Sequence, residues 1–206
     1  MNTNARRWMD FLLPDALSVH TDWLRQFTAG DGQLLARLMG SRTARMLLTR
    51  RLYKLHEIAV PNRVKLRVNQ QWLLMDHEAQ RALARRLGRD ALHDWIRKTV
   101  RASAVVMLRN ELGEDGYRRA LAGPGLAVTG LDRYSFETAL QRGEVGNYFV
   151  SVGAALLETT TDSGDPFCAL RMRFAFSPSA WQCRPRGVRV DADELARRIA
   201  EPASGE

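Results

Sequence analysis

The chain has 206 residues, 45% of them hydrophobic, and a formal charge of +8. That apolar content excludes a disordered chain, and no apolar run approaches the ~20 residues a membrane-spanning helix needs. Two cysteines, Cys168 and Cys183, are too few and too far apart for a zinc site and read as reduced thiols of a cytosolic protein.

The charge is unevenly placed. Between Gly32 and Met75 there are nine Lys or Arg residues against one acid, Glu57, so this segment carries the whole excess of +8. A basic face there draws acidic partners: nucleic acid, anionic lipid or an acidic protein surface.

At the N-terminus, MNTNARRWMDFLLP has a basic start but lacks an apolar h-region and a small-residue cleavage site, so no secretory signal is expected. Pro14 suits the first turn of a helix. Trp23, Leu24 and Phe27 follow, with Asp22 placed to cap a second short turn, and these aromatics read as anchors on the core. Residues 33–58 read as two helices. Leu34, Leu35 and Leu38 belong to the first, which stops at Gly40. Ser41 caps the second, which is expected to bury Met46, Leu47, Leu52, Leu55 and Ile58. The outline resembles a helix-turn-helix that would bring Arg42, Arg45, Arg50 and Arg51 to a phosphate backbone or groove. Any short helical hairpin with a glycine turn looks the same, so a solvated basic face is the preferred reading.

Residues 63–69, RVKLRVN, alternate as a short strand or an extended segment does. From Asp76 to Gly125 three helices are expected: one capped by Asp76 and closed by Gly88, one capped by Asp90 and closed by Gly113, and one ended by Gly123-Pro124. The middle one is apolar on more than one side in its C-terminal half and is read as a central post packed by several neighbours. Residues 126–132 connect to a helix over 133–142. Residues 144–158 and 166–176 carry both helical and strand signals. Helical spacing favours helix for the first, and the Asp165-Pro166 cap favours helix for the second. The tract 159–165 is a polar surface loop. Asp191 and Glu194 suggest a capping box for a last amphipathic helix, followed by a frayed tail. The expected fold is mainly α: a single compact multi-helix domain over 1–190 around a central buried helix, with at most one or two short strands, then the 191–206 helix and tail.

No catalytic motif appears. His77-Glu78 lacks the second histidine of a zinc-protease helix. The glycines from Gly123 to Gly130 have neither a preceding strand nor a following lysine. Glu114 and Asp115 sit at a helix start, where the macrodipole accounts for them. No enzyme activity, metal or cofactor is expected.

The run WLLMDHEAQRALARRLGRDALHDWIRKTVRASAVVMLRNELGEDGYRRALAGPGL resembles the SctK family of type III secretion systems, whose relatives include YscK, PscK and OrgA. The resemblance rests on the ALARRLG helix end with its following IRKTV, on LGEDGYRRAL and on the Gly/Pro loop after it, and is clearest from Trp72 to Leu126. It implies a cytoplasmic adaptor of the sorting platform, at the inner-membrane base of the injectisome. Such an adaptor links an SctD-type ring protein to an SctQ-type pod protein, and through the pod to SctL and SctN. The basic residues Arg42, Arg45, Arg50, Arg51 and Lys54 are the candidate partner-binding surface. The alternative is a DNA-binding regulator using 33–58 as a helix-turn-helix. Peripheral membrane attachment through the same basic face ranks last.

Overall fold

A computed structural model of the chain describes residues 19–57, 66–161 and 165–201. Among the described residues the α-helices are, in chain order, α1 (Gly32–Gly40), α2 (Arg42–Leu55), α3 (His77–Ala91), α4 (His93–Arg97), α5 (Ala102–Ala122), α6 (Arg133–Arg142), α7 (Val145–Glu158), α8 (Pro166–Ala175), α9 (Pro178–Gln182) and α10 (Ala192–Ala200). Two strands, β1 (Val128–Thr129) and β2 (Arg189–Val190), pair antiparallel with Val128 opposite Val190. The fold is mainly α, as the periodicities predict. No helix among the described residues is long and apolar enough to cross a membrane. Two compact units form: one from Met1–Arg81 and Thr161–Trp181, the other from Ala82–Thr160 and Gln182–Glu206.

In the first unit Ser41 caps α2 through the Ala44 N–H, and Asp165 caps α8 through the N–H groups of Phe167 and Cys168. With Pro166 at the first helical position, that cap decides helix over strand for this segment. The short turn at Thr21–Trp23 is capped by His20 rather than Asp22. His20 has the extended backbone an N-cap requires, and its Nδ1 accepts the Asp22 N–H at 3.3 Å. Of the strand or extended segment expected at 63–69, no strand forms in the described part, although Arg67 has an extended backbone. Residues 63–65 lie outside the described residues, and Val68 already opens a 3-10 helix, Val68–Leu74. The Gln70 side chain accepts the Arg67 N–H at 3.0 Å while the Gln70 N–H donates to the Arg67 carbonyl. The backbone groups a strand would offer a neighbour are thus used locally.

The core of this unit is aromatic. Tyr53 of α2 stacks on Phe174 of α8 with ring centroids 6.0 Å apart and an interplanar angle of 12°. Trp23 meets Phe174 edge-on at 5.2 Å, and its Nε1 donates to the Phe176 carbonyl at 2.7 Å. Trp23 therefore anchors the early chain as its sequence suggested. Complete burial of Trp72, Phe174 and Leu52 contributes about 1.5–3 kcal/mol per side chain. Gln80 ties α3 to the preceding 3-10 helix, its amide reaching the carbonyls of Trp72, Leu73 and Met75.

In the second unit the central helix is α7, not the stretch before it. Val145 and every residue from Phe149 to Leu157 are buried. The stretch from Asp90 to Gly113, expected as one helix, is broken. α3 runs through Gly88 and ends at Ala91, α4 spans one turn, and residues 98–101 are not helical. At the break the Thr99 N–H donates to the Ile96 carbonyl at 3.1 Å, a tightened last turn, and Thr99 Oγ1 donates to the Trp95 carbonyl at 2.8 Å. Asp90 is not a cap. It sits in the last turn of α3, with its carbonyl accepting the Leu126 N–H and its carboxylate beside Arg89. Gly113 does interrupt helical geometry, with φ 70° and ψ 164° inside α5.

Gly88 has a different role from the helix end first assigned to it. A Cβ built there would fall inside the Phe149 carbonyl, and one built on Gly153 would fall inside the Ala84 carbonyl. Glycine at both positions lets α3 and α7 meet backbone to backbone. The C-terminal helix α10 joins the same unit. Asp191 caps its start through the Glu194 N–H at 2.8 Å. Arg86 of α3 closes its end by donating to the carbonyls of Arg198 and Glu201.

Candidate functional site: the exposed face of α2

The five basic residues singled out from sequence lie along α2 but do not act alike. Arg42, Arg50, Arg51 and Lys54 are exposed. Arg45 is half-buried and donates from Nη1 to the Met39 carbonyl at 2.7 Å, holding α1 against α2 across the Ser41 turn. Arg51 also lies over the Phe27 ring, 5.4 Å from its centroid, a cation–π contact worth about 0.5–1 kcal/mol at an exposed site. Of the other basic residues in the segment, Arg63 and Lys65 lie outside the described residues.

The apolar side of α2 differs from the expected one. Thr49, Leu52 and Tyr53 are buried, with Met46 half-buried beside them. Leu47 and Leu55, expected in the core, are each 59% exposed, and Ile58 lies outside the described residues. Tyr53 causes the rotation. Its ring packs on Phe174 and Phe167, and its hydroxyl accepts a hydrogen bond from the buried Arg171 at 3.1 Å. At 100° per residue, that orientation turns Leu47, Arg51, Lys54 and Leu55 outward together. The outcome is a helix face with two solvent-facing leucines set among cations.

Two histidines of this unit are shifted in their titration. Burial pushes the His20 pKa down, with Arg81, His77 and Arg25 adding to the effect against Asp22. Burial, then Arg173, pushes His56 down. In the second unit burial raises the Asp90 pKa more than Arg89 and Arg198 lower it.

A cavity of about 350 Å³ opens beside Gly113, where Arg85, Arg89 and Arg119 face Glu111, Glu114 and Asp115. Its charges largely answer one another: Arg85 donates to the Glu111 carboxylate and main-chain carbonyl, both at 2.6 Å. No group of three or more His, Cys, Asp or Glu residues is placed to hold a metal among the described residues.

The IRKTV stretch at the end of α4 carries part of the resemblance, but its cations are not among the basic residues singled out as a surface. Arg97, Lys98 and Arg101 are exposed, with Val100 between them 89% exposed. Three cations in RKTVR without an acid were a visible signal, masked because the chain outside 32–75 nets zero charge.

No family model matches the chain, and no curated protein or solved structure matches it.

Proposed function

We propose that the chain is a non-catalytic cytoplasmic adaptor of a type III secretion sorting platform, at the inner-membrane base of the injectisome. It holds the cytoplasmic domain of an SctD-type ring protein and an SctQ-type pod protein, and through the pod it reaches SctL and SctN. The resemblance over Trp72–Leu126 motivates the reading. The observation that carries it is the outward face of α2, where Leu47 and Leu55, each 59% exposed, stand among Arg50, Arg51 and Lys54. Apolar groups that stay in water at such a face gain by burial against another protein, while the cations supply orientation and on-rate toward an acidic patch.

The test is reconstitution. The full chain is mixed with the ring-protein cytoplasmic domain and the pod protein of the same bacterium, and binding is measured at 0.15 M salt. Joint replacement of Arg50, Arg51 and Lys54 by Glu should weaken one of the two interactions at least tenfold. Undiminished binding to both partners removes the basic face from the proposal, and no binding to either partner removes the proposal.

The helix-turn-helix reading draws on the same helices, because α1 and α2 do form a hairpin around Ser41 with Arg42, Arg50 and Arg51 outward. Leu47 and Leu55 on the same side favour a protein surface, since phosphates offer aliphatic groups nothing. A mobility-shift titration separates the two: the regulator requires duplex binding that falls steeply with salt.

A further inference from the structure

The first half of α5 is apolar and scarcely buried. Across Ala102–Leu112 only Leu108 is fully buried, while Val106 is 54% exposed. Together with the 98–101 break and α6, this half-helix bounds a groove of about 270 Å³ floored by Ala104, Met107 and Leu140. Val100, 89% exposed, stands at its edge. The rim is basic. Lys98 and Arg101 line the groove and Arg97 adjoins it, and none of the three makes an ion pair among the described residues. Arg133, also on the rim, is held by Glu137 at 2.9 Å.

We infer that this groove docks an acidic amphipathic segment of another protein, with one or two aliphatic side chains on the Ala104–Met107–Leu140 floor and carboxylates against Lys98, Arg101 and Arg97. The volume falls below the ~300–1,000 Å³ typical of small-molecule sites, and the groove is open along its length. Single-stranded nucleic acid fits poorly, because such sites stack bases on aromatic rings and no aromatic side chain is among the lining residues. Three cations that make no ion pair among the described residues set the charge of the occupant, and an exposed valine beside an aliphatic floor sets its apolar side. The inference goes beyond the adaptor proposal. The α2 face and this groove belong to different units, and either can fail without the other.

The experiment pans a phage-displayed library of random 16-residue peptides on the full-length protein, with counter-selection on a V100E/R101E variant. Both substituted side chains are exposed, so the variant keeps its fold, checked by circular dichroism. Enriched peptides should carry net negative charge with aliphatic residues every third or fourth position. Synthetic versions should bind the variant at least tenfold more weakly, and should shift the methyl resonances of Val100, Met107 and Leu140. The inference is overturned if nothing enriches, if the peptides are basic or bind the variant equally, or if the shifts fall on Leu47 and Leu55 instead. Binding of a dT15 oligonucleotide that shifts the groove methyls also overturns it. The reconstitution described above does not enter this outcome.

Discussion

Gly153 of α7 lies against the main-chain carbonyl of Ala84 in α3, so closely that a Cβ at that position would occupy the carbonyl itself. The obstacle is backbone, which moves only with the whole of α3. Overpacking usually costs about 1–3 kcal/mol, and a clash with an unyielding main chain belongs at or beyond the top of that range. Gly153→Val is therefore expected to lose about 3 kcal/mol or more in urea denaturation. Gly32→Ala is the control. Nothing lies within 4 Å of a Cβ there, and a helical glycine replaced by alanine gains about 0.4–1 kcal/mol. Equal effects at the two sites would refute backbone contact between α3 and α7.

Tyr53→Phe keeps the ring stack on Phe174 but removes the hydroxyl that accepts from the buried Arg171. Hydrogen bonds to charged groups contribute about 1.5–3 kcal/mol, so a loss of that size is expected in equilibrium unfolding. Arg171→Met in the Tyr53→Phe background should then cost little through this pair, a coupling that a double-mutant cycle measures.

Stability should fall on mild acidification. The folded state holds His20 and His56 below the ordinary histidine pKa of 6.5, so the unfolded chain takes up protons first. As pH drops through 6.5, unfolding gains those protons and stability is lost, until the pH passes the lowered folded values. Protonation also removes the Nδ1 lone pair that accepts the Asp22 N–H. His20→Asn keeps a capping oxygen and does not titrate, so it should flatten the drop in melting temperature between pH 7 and pH 5. An unchanged slope would show that His20 is not a source of it.

Leu47→Asp with Leu55→Asp should leave the melting temperature nearly unchanged, since both side chains already face water. Leu52→Ala in the same helix, at 0% exposure, should cost about 2–5 kcal/mol. If the α2 face docks a partner, the double Asp variant loses that partner while retaining its fold, a result read by calorimetric titration.

The thiols should separate by reactivity. Cys168 is buried, and burial together with the Asp165 carboxylate 3.2 Å from Sγ pushes its pKa to about 12. Cys183 is exposed. Iodoacetamide at pH 8 should alkylate Cys183 in the native protein and reach Cys168 only on unfolding, since the thiolate is the reactive form. Mass spectrometry of tryptic peptides checks the order.

Local chemistry was legible from the chain. Ser41, Asp165-Pro166 and Asp191 each cap a helix because the cap oxygen and the N–H groups it serves lie within three residues of one another. Helical spacing likewise sufficed for α6 and α7, and the Asp165-Pro166 cap decided for α8. The face α2 buries was not legible: leucine and tyrosine compete for the interior, and Phe174, more than a hundred residues away, decides for Tyr53. Gly88 and Gly153 look like helix breakers from their neighbours alone. Only the approach of a second backbone reveals them as contact points. The groove beside the Thr99 break follows the same rule, since its walls come from segments some thirty residues apart. Short-range hydrogen bonds and periodicity are written in adjacent residues, whereas burial and exposed docking surface depend on what distant segments cover, and that is settled only when the chain packs.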